Sequence, residues 1–277
     1  MPVPVLYNLR VTTVEIVAIG NEILLGFVQD TNSNYLCQLV RKMGGRVQHV
    51  SAVRDEIDAI AGEIDASLKR KARLIFTCGG LGPTEDDLTL AAVAQATARG
   101  VERNPTAEQF VKRRYRELAS QGYVSNAEMT ESRLKMSRLP KGARPIENAI
   151  GAAPAVVLET GATSIISLPG VPAELKAIVE GPLQDLLAEV FGRRAYRERE
   201  LIVECGDESQ LAPLLREVAS LHPEVYIKSR ASHFGSDVKF RILVCASGDS
   251  DQDAEHFIES VATDLGRSLD QHGIKMM

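Results

Sequence analysis

The segment Cys78-Gly-Gly-Leu-Gly-Pro-Thr-Glu-Asp-Asp-Leu-Thr89 sets Gly79, Gly80 and Gly82 immediately before the acids Glu85, Asp86 and Asp87. Glycines let a backbone approach a ligand closely, and their N–H groups can cradle a phosphate where a helix begins. Adjacent acids would repel a bare phosphate. A divalent cation resolves that conflict, because hard cations take carboxylate oxygens and bridge to phosphate. The plainer alternative is a turn in which Asp86 or Asp87 only caps the next helix.

A second segment, Gly20-Asn-Glu-Ile-Leu-Leu-Gly-Phe-Val-Gln-Asp-Thr-Asn-Ser33, carries Glu22 and Asp30. Asp30 suits a helix N-cap, with Ser33 placed to donate to it. Glu22 stands among apolar residues and either serves a ligand or faces water. A third, Pro169-Gly-Val-Pro-Ala-Glu174, combines a Pro/Gly turn with a helix start, and Asn148 and Gly151 could close over a ligand from the preceding loop.

The elements around these segments bring them to one place. A β-branched run, Val14–Ile19, predicts a strand, followed by a loop over 21–29 and a helix near Asp30–Met43 that ends at Gly44 and Gly45. Strand Val47–Val53, a helix carrying Ile57, Ile60, Ile64 and Leu68 on one face, and strand Arg73–Thr77 follow. Strands alternating with helices imply a mostly parallel α/β sheet with right-handed crossovers, and ligands of such sheets bind beyond the carboxyl ends of the strands. Further helices are expected from Leu88, from Pro105 behind an Asn104 cap, and over Ser125–Arg138. The stretch Leu139–Pro154 reads as an extended loop, and strands Ala155–Glu159 and Ser164–Leu168 flank the turn Gly161-Ala162. The helix after Pro172 is interrupted at Gly181-Pro182. Arg193, Arg194, Arg197 and Arg199 mark a change of character, which places a first domain at 11–192 and a small α+β domain at 197–277.

Composition bounds the chemistry. With 277 residues, 44% hydrophobic and 25% charged, the chain is globular, and its net charge of −5 offers no basic footprint for nucleic acid. A strip of Lys228, Arg230, Lys239 and Arg241 beside His233 is small enough to be solvated surface. No apolar run reaches bilayer length and the N-terminus lacks a signal-peptide pattern, so neither a membrane nor a nucleic acid is an expected partner. Cys37, Cys78, Cys205 and Cys245 are far apart and read as reduced core thiols, consistent with a cytoplasmic protein.

Four motifs in order, Gly20-Asn-Glu-Ile-Leu-Leu-Gly, Asp30-Thr-Asn, Gly79-Gly-Leu-Gly-Pro-Thr-Glu-Asp-Asp-Leu-Thr and Leu168-Pro-Gly-Val-Pro-Ala-Glu, resemble the N-terminal region of the competence/damage-inducible protein A (CinA) family. That region is similar to the molybdopterin-binding domain of molybdenum-cofactor biosynthesis proteins. The resemblance spans Val14 to Val190, and the tail after Tyr196 is similar to the small domain that follows in CinA proteins. The resemblance does not extend to the nicotinamide mononucleotide deamidase domain usual in the family, and that activity is not carried over. Cys78 and Ala152 stand where Thr is usual, and Ala155 where Gly is, which puts substrate identity in question.

The resemblance implies a three-layer α/β/α domain that binds a small nucleotide or pterin phosphate, in a homo-oligomer. It also implies metal-dependent hydrolysis of the pyrophosphate in ADP-ribose or a related nucleotide, with molybdopterin adenylylation or non-catalytic binding as alternatives. Asp30 and Asp87 would be catalytic, and Glu22, Asp86 and Asp87 would hold Mg, Mn or Co. Substrate contacts would come from Gly20, Asn21, Glu22, Thr31, Asn32, Gly79, Gly80, Leu81, Gly82, Thr84, Thr89, Asn148, Gly151, Pro169 and Gly170.

Overall fold

The computed structural model describes residues 11–192, 194–231 and 239–277. Two compact units emerge: Thr12–Val40 with Gly45–Val190, and Phe191–Met277 with Arg41–Gly44. Arg193, His233 and the N-terminal segment 1–10 lie outside the described residues.

In the larger unit the chain runs β1 (Thr13–Ile19), α1 (Asn21–Leu24), α2 (Thr31–Lys42), β2 (Arg46–Val53), α3 (Ile57–Lys69), β3 (Leu74–Cys78) and α4 (Thr89–Ala96). It continues through β4 (Val101–Arg103), α5 (Pro105–Ser120), α6 (Glu131–Lys135), β5 (Arg138–Pro140), β6 (Arg144–Ile146), β7 (Ala155–Thr160), β8 (Thr163–Leu168), α7 (Pro172–Glu180) and α8 (Gln184–Phe191). The main sheet has the order β2-β1-β3-β8-β7-β6. Its first four strands are parallel; β7 and β6 are antiparallel additions. Side-chain alternation along the strands serves two faces. Val17, Ile19, Ile75 and Ile165 join Ile60 and Ile64 of α3, Val93 of α4 and Val111 of α5 in one core. Ile16, Leu74 and Phe76 point the other way and are also fully buried. Helices α2 and α7 bury Leu36, Val40, Leu175 and Ile178 and lie side by side, Tyr35 donating to Glu180 Oε1 at 2.9 Å. The mostly parallel α/β reading stands.

Three expectations change. Only Glu131–Lys135 of the expected Ser125–Arg138 helix is helical. Asn126 Oδ1 accepts from Glu128 N at 3.0 Å in a competing turn, Thr130 caps the helix, and Arg138–Pro140 pairs with β4 instead. The expected loop Leu139–Pro154 contains β6, which pairs with β7. The loop over 21–29 begins with the single turn of α1.

The smaller unit comprises β9 (Ala195–Glu204), α9 (Glu208–Leu221), β10 (Val225–Ala231), β11 (Lys239–Gly248), α10 (Asp251–Gln271) and β12 (Lys275–Met276), its sheet ordered β10-β11-β9-β12 and antiparallel. Of the arginine-rich stretch, Arg197 and Arg199 lie in β9. Arg197 pairs with Asp251 at 2.9 Å and Arg199 with Glu259 at 2.9 Å, so the carboxylates of α10 account for them. In the basic strip, Arg241 pairs with Glu200 at 3.1 Å and Lys239 with Glu204 at 3.6 Å. The cysteines are free thiols: Cys78, Cys205 and Cys245 are buried and Cys37 is half-buried. No helix among the described residues is long and apolar enough to cross a membrane.

One buried charge in β1 has a pH consequence. Glu15 is fully buried, yet Arg70 reaches it at 2.6 Å and Gln48 at 2.7 Å. Burial alone would raise its pKa, but the bonds from Arg70, Ser67 and Gln48 outweigh that and hold it at about 2, below an ordinary 4.5. The folded pKa is depressed, so the stabilisation is whole above the ordinary value and disappears as pH falls from there towards 2. Glu15→Gln is expected to cost about 1–3 kcal/mol at neutral pH and to flatten this acid limb. Urea titrations of both proteins at a series of pH values check it, and parallel curves would exclude the assignment.

Candidate functional site

Parallel pairing decides where the motifs meet. Ala18 of β1 pairs with Cys78 of β3, and Cys78 pairs with Leu168 of β8, so three neighbouring strands end together. The turns that follow them begin at Gly20, Gly79 and Pro169. Gly79 N donates to Leu168 O at 3.0 Å, and a Cβ on Gly79, whose φ is +110°, would strike the carbonyl oxygen of Ile19. A Cβ on Gly170 would lie 3.5 Å from Gly79 Cα. Asn32 closes the group by donating to Gly170 O at 2.8 Å. Asp30 caps α2 through Ser33 N at 2.9 Å, and the Cys78 thiol pKa is pushed up by its burial and then by the charge of Asp30. Asp30, Asn32, Cys78, Gly79 and Gly170 are therefore neighbours; Thr31 beside them is exposed.

Beyond Gly79 the chain folds back on itself. Gly80 has φ +65°, and Thr89 fills the space a side chain would need, donating to Gly79 O at 2.7 Å. Leu81 is buried in the core. A Cβ on Gly82 would lie 2.6 Å from Asp87 Oδ2. That oxygen accepts from Thr84 N at 2.8 Å and from Thr84 Oγ1 at 2.6 Å. Bonding to Thr84 also lowers the Asp86 pKa, so that carboxylate stays ionised. Leu88 is the N-cap position of α4, and no side chain caps the helix there. Asp86 and Asp87 thus brace the turn before the helix rather than cap it.

Asn148 and Gly151 are engaged within their own loop and with α7. Asn148 is buried; its Nδ2 donates to Ala153 O at 2.9 Å and Glu174 Oε2 at 2.7 Å, while its Oδ1 accepts from Ile150 N and Gly151 N. Those bonds commit it to pinning its own loop onto α7. Gly151 leaves room for the Glu174 carboxylate. Pro169 is buried, and Gly20 approaches the exposed Glu22.

A protein-held metal fits poorly. Among the described residues no three His, Cys, Asp or Glu side chains are grouped to hold an ion. Glu22 follows β1, whereas Asp86 and Asp87 are engaged with Thr84 in the turn after β3. The ligand set Glu22, Asp86 and Asp87 is not assembled.

Three residues escaped the sequence reading. Asp55, two residues beyond β2, accepts from Asn21 N at 2.7 Å and adds a carboxylate to the same edge. The strand-end logic applied to Asp30 would have found it. Lys135 donates to Thr84 O and Arg138 lines the adjoining cavity; their approach depends on α6 and β5, which carry no periodicity.

The fold and its three gathered turns define a parallel-sheet α/β domain of the molybdopterin-binding type. Residues 15–189 match the family described as probable molybdopterin binding domain, and the chain belongs to that family. A protein of Aeropyrum pernix is 40% identical over 241 residues, covering 84% of this chain and 85% of the relative. One from Thermococcus kodakarensis is 35% identical, covering 87% and 94%. A crystal structure of the protein CinA, of unknown function, from Thermoplasma acidophilum matches at 30% identity and TM-score 0.58, over 64% of this chain and 99% of that one. The CinA resemblance of the motifs is borne out.

Proposed function

We propose that this edge binds the phosphates of a small nucleotide and hydrolyses its pyrophosphate, with ADP-ribose as the type substrate. The observation that supports it is the close backbone approach at Gly79 and Gly80 between carboxylates from separate stretches, Asp30 and Asp87. Water would add its oxygen to one phosphorus as the bridging P–O bond breaks. Asp30 would take the water proton, leaving AMP and ribose 5-phosphate. Asp87, fixed by Thr84, would hold the turn in register and set its negative charge against the cation that accompanies the phosphates. Mg, Mn or Co is proposed as a companion of the substrate pyrophosphate, offsetting its charge beside the acids. The active form would be a cytoplasmic homo-oligomer.

The family description, a probable molybdopterin binding domain, supports pterin binding and so a second reading, in which a pterin phosphate oxygen replaces water, attacks the α-phosphorus of ATP and is adenylylated as pyrophosphate leaves. Assays of ADP-ribose, FAD and NAD with each metal, and of ATP with molybdopterin, separate the two. AMP with ribose 5-phosphate is the expected product from ADP-ribose. Adenylylated pterin alone would establish the transferase, and tight binding without turnover a carrier.

A further inference from the structure

A cavity of about 350 Å³ opens on the far side of the glycine turn, walled by α4, β4, α6 and β5. We infer that it receives the planar nitrogen heterocycle of the ligand whose phosphates the turn holds, an inference that rests on the phosphate-binding reading above.

Size, chemistry and continuity converge. The volume lies at the small end of ligand sites, suited to a bicyclic ring and part of a sugar rather than a peptide. The apolar wall is Leu81, Leu90, Ala91 and Val101. Val101 is 47% exposed, so an apolar strand residue faces an open space that a flat ring would cover. The cations at the rim are engaged with the protein: Lys135 with Thr84 O, and Arg138 with Glu131 at 2.9 Å. With Glu85 and Glu131 also present, the rim does not favour a phosphate inside. Ser132 and these charged groups instead offer donors and acceptors to ring edges. Finally, Gly80 and Gly82 belong to both the turn and the cavity wall, so phosphate and ring sites share a boundary.

The test compares wild type with Ala91→Phe, which plugs the cavity from a half-buried helical position, and with Val101→Ser, which makes an exposed wall polar. Calorimetric titrations would use AMP, 6-hydroxymethylpterin phosphate and inorganic pyrophosphate, with circular dichroism confirming the fold. The plug is expected to weaken the ring-bearing ligand by about tenfold or more and leave pyrophosphate within about twofold. Val101→Ser should weaken it in the same direction by a smaller factor. Selective loss of AMP or of the pterin phosphate identifies the ring. Equal weakening of pyrophosphate and the ring ligands, or no weakening by either variant, would overturn the inference. If wild type binds no pyrophosphate, the phosphate reading fails separately, and the plug must still exclude adenosine or neopterin for the cavity assignment to survive.

Discussion

Asp87→Asn is expected to fold normally and to release AMP from ADP-ribose on the order of a thousandfold more slowly. The amide oxygen of Asn can still accept from Thr84 N, which now meets Asp87 Oδ2 at 2.8 Å, so the turn keeps its brace. What disappears is the negative charge beside Gly82. A melting temperature within about 2 °C of wild type, measured with kcat, separates lost chemistry from lost structure. Asp30→Asn tests the proposed base in the same way, since Asn also caps a helix well. Wild-type turnover in Asp87→Asn would remove Asp87 from the mechanism.

Gly79→Ala is expected to lower stability by at least about 3 kcal/mol, or roughly 10 °C in Tm, and to abolish ligand binding with it. Its φ of +110° lies where a side chain is strained, and the obstructing atom is the Ile19 carbonyl oxygen, which is backbone. Strand β1 is paired on both sides, to β2 and β3, so it cannot give way cheaply. Gly26→Ala is the control. Gly26 also has a positive φ, +75°, but nothing lies within 4 Å of an added Cβ. It should cost about 1 kcal/mol or less. Equal thermal shifts for the two variants would show that backbone strain, not the approach of β1 to the turn, sets the cost.

Local chemistry is legible wherever a segment is long enough to carry a period. The stripe of Ile57, Ile60, Ile64 and Leu68 announces α3, which runs Ile57–Lys69. Asn104 before Pro105 announces the cap of α5, and Asn104 Oδ1 does accept from Thr106 N and Ala107 N at 3.0 Å. Strands β4, β5 and β6 have three residues each, too few for alternation to show, and they exist because partners arrive from elsewhere in the chain. The smaller unit marks the same contrast, since Arg197 and Arg199 read only as a change of character until the carboxylates of α10 are brought against them.

By itself the sequence determined the parallel α/β framework, the glycine turn after β3, the Asp30 cap and the family. Those depend on neighbours along the chain, on steric limits of single residues and on motif order. Only the tertiary structure decided that Asn148 clamps its own loop, that Asp55 and Lys135 reach the turns, that Glu22 is not grouped with Asp86 and Asp87, and that a cavity lies behind Gly80 and Gly82. Each of these is a distance between residues remote in the chain, which no local pattern encodes because pairing register and helix packing set it.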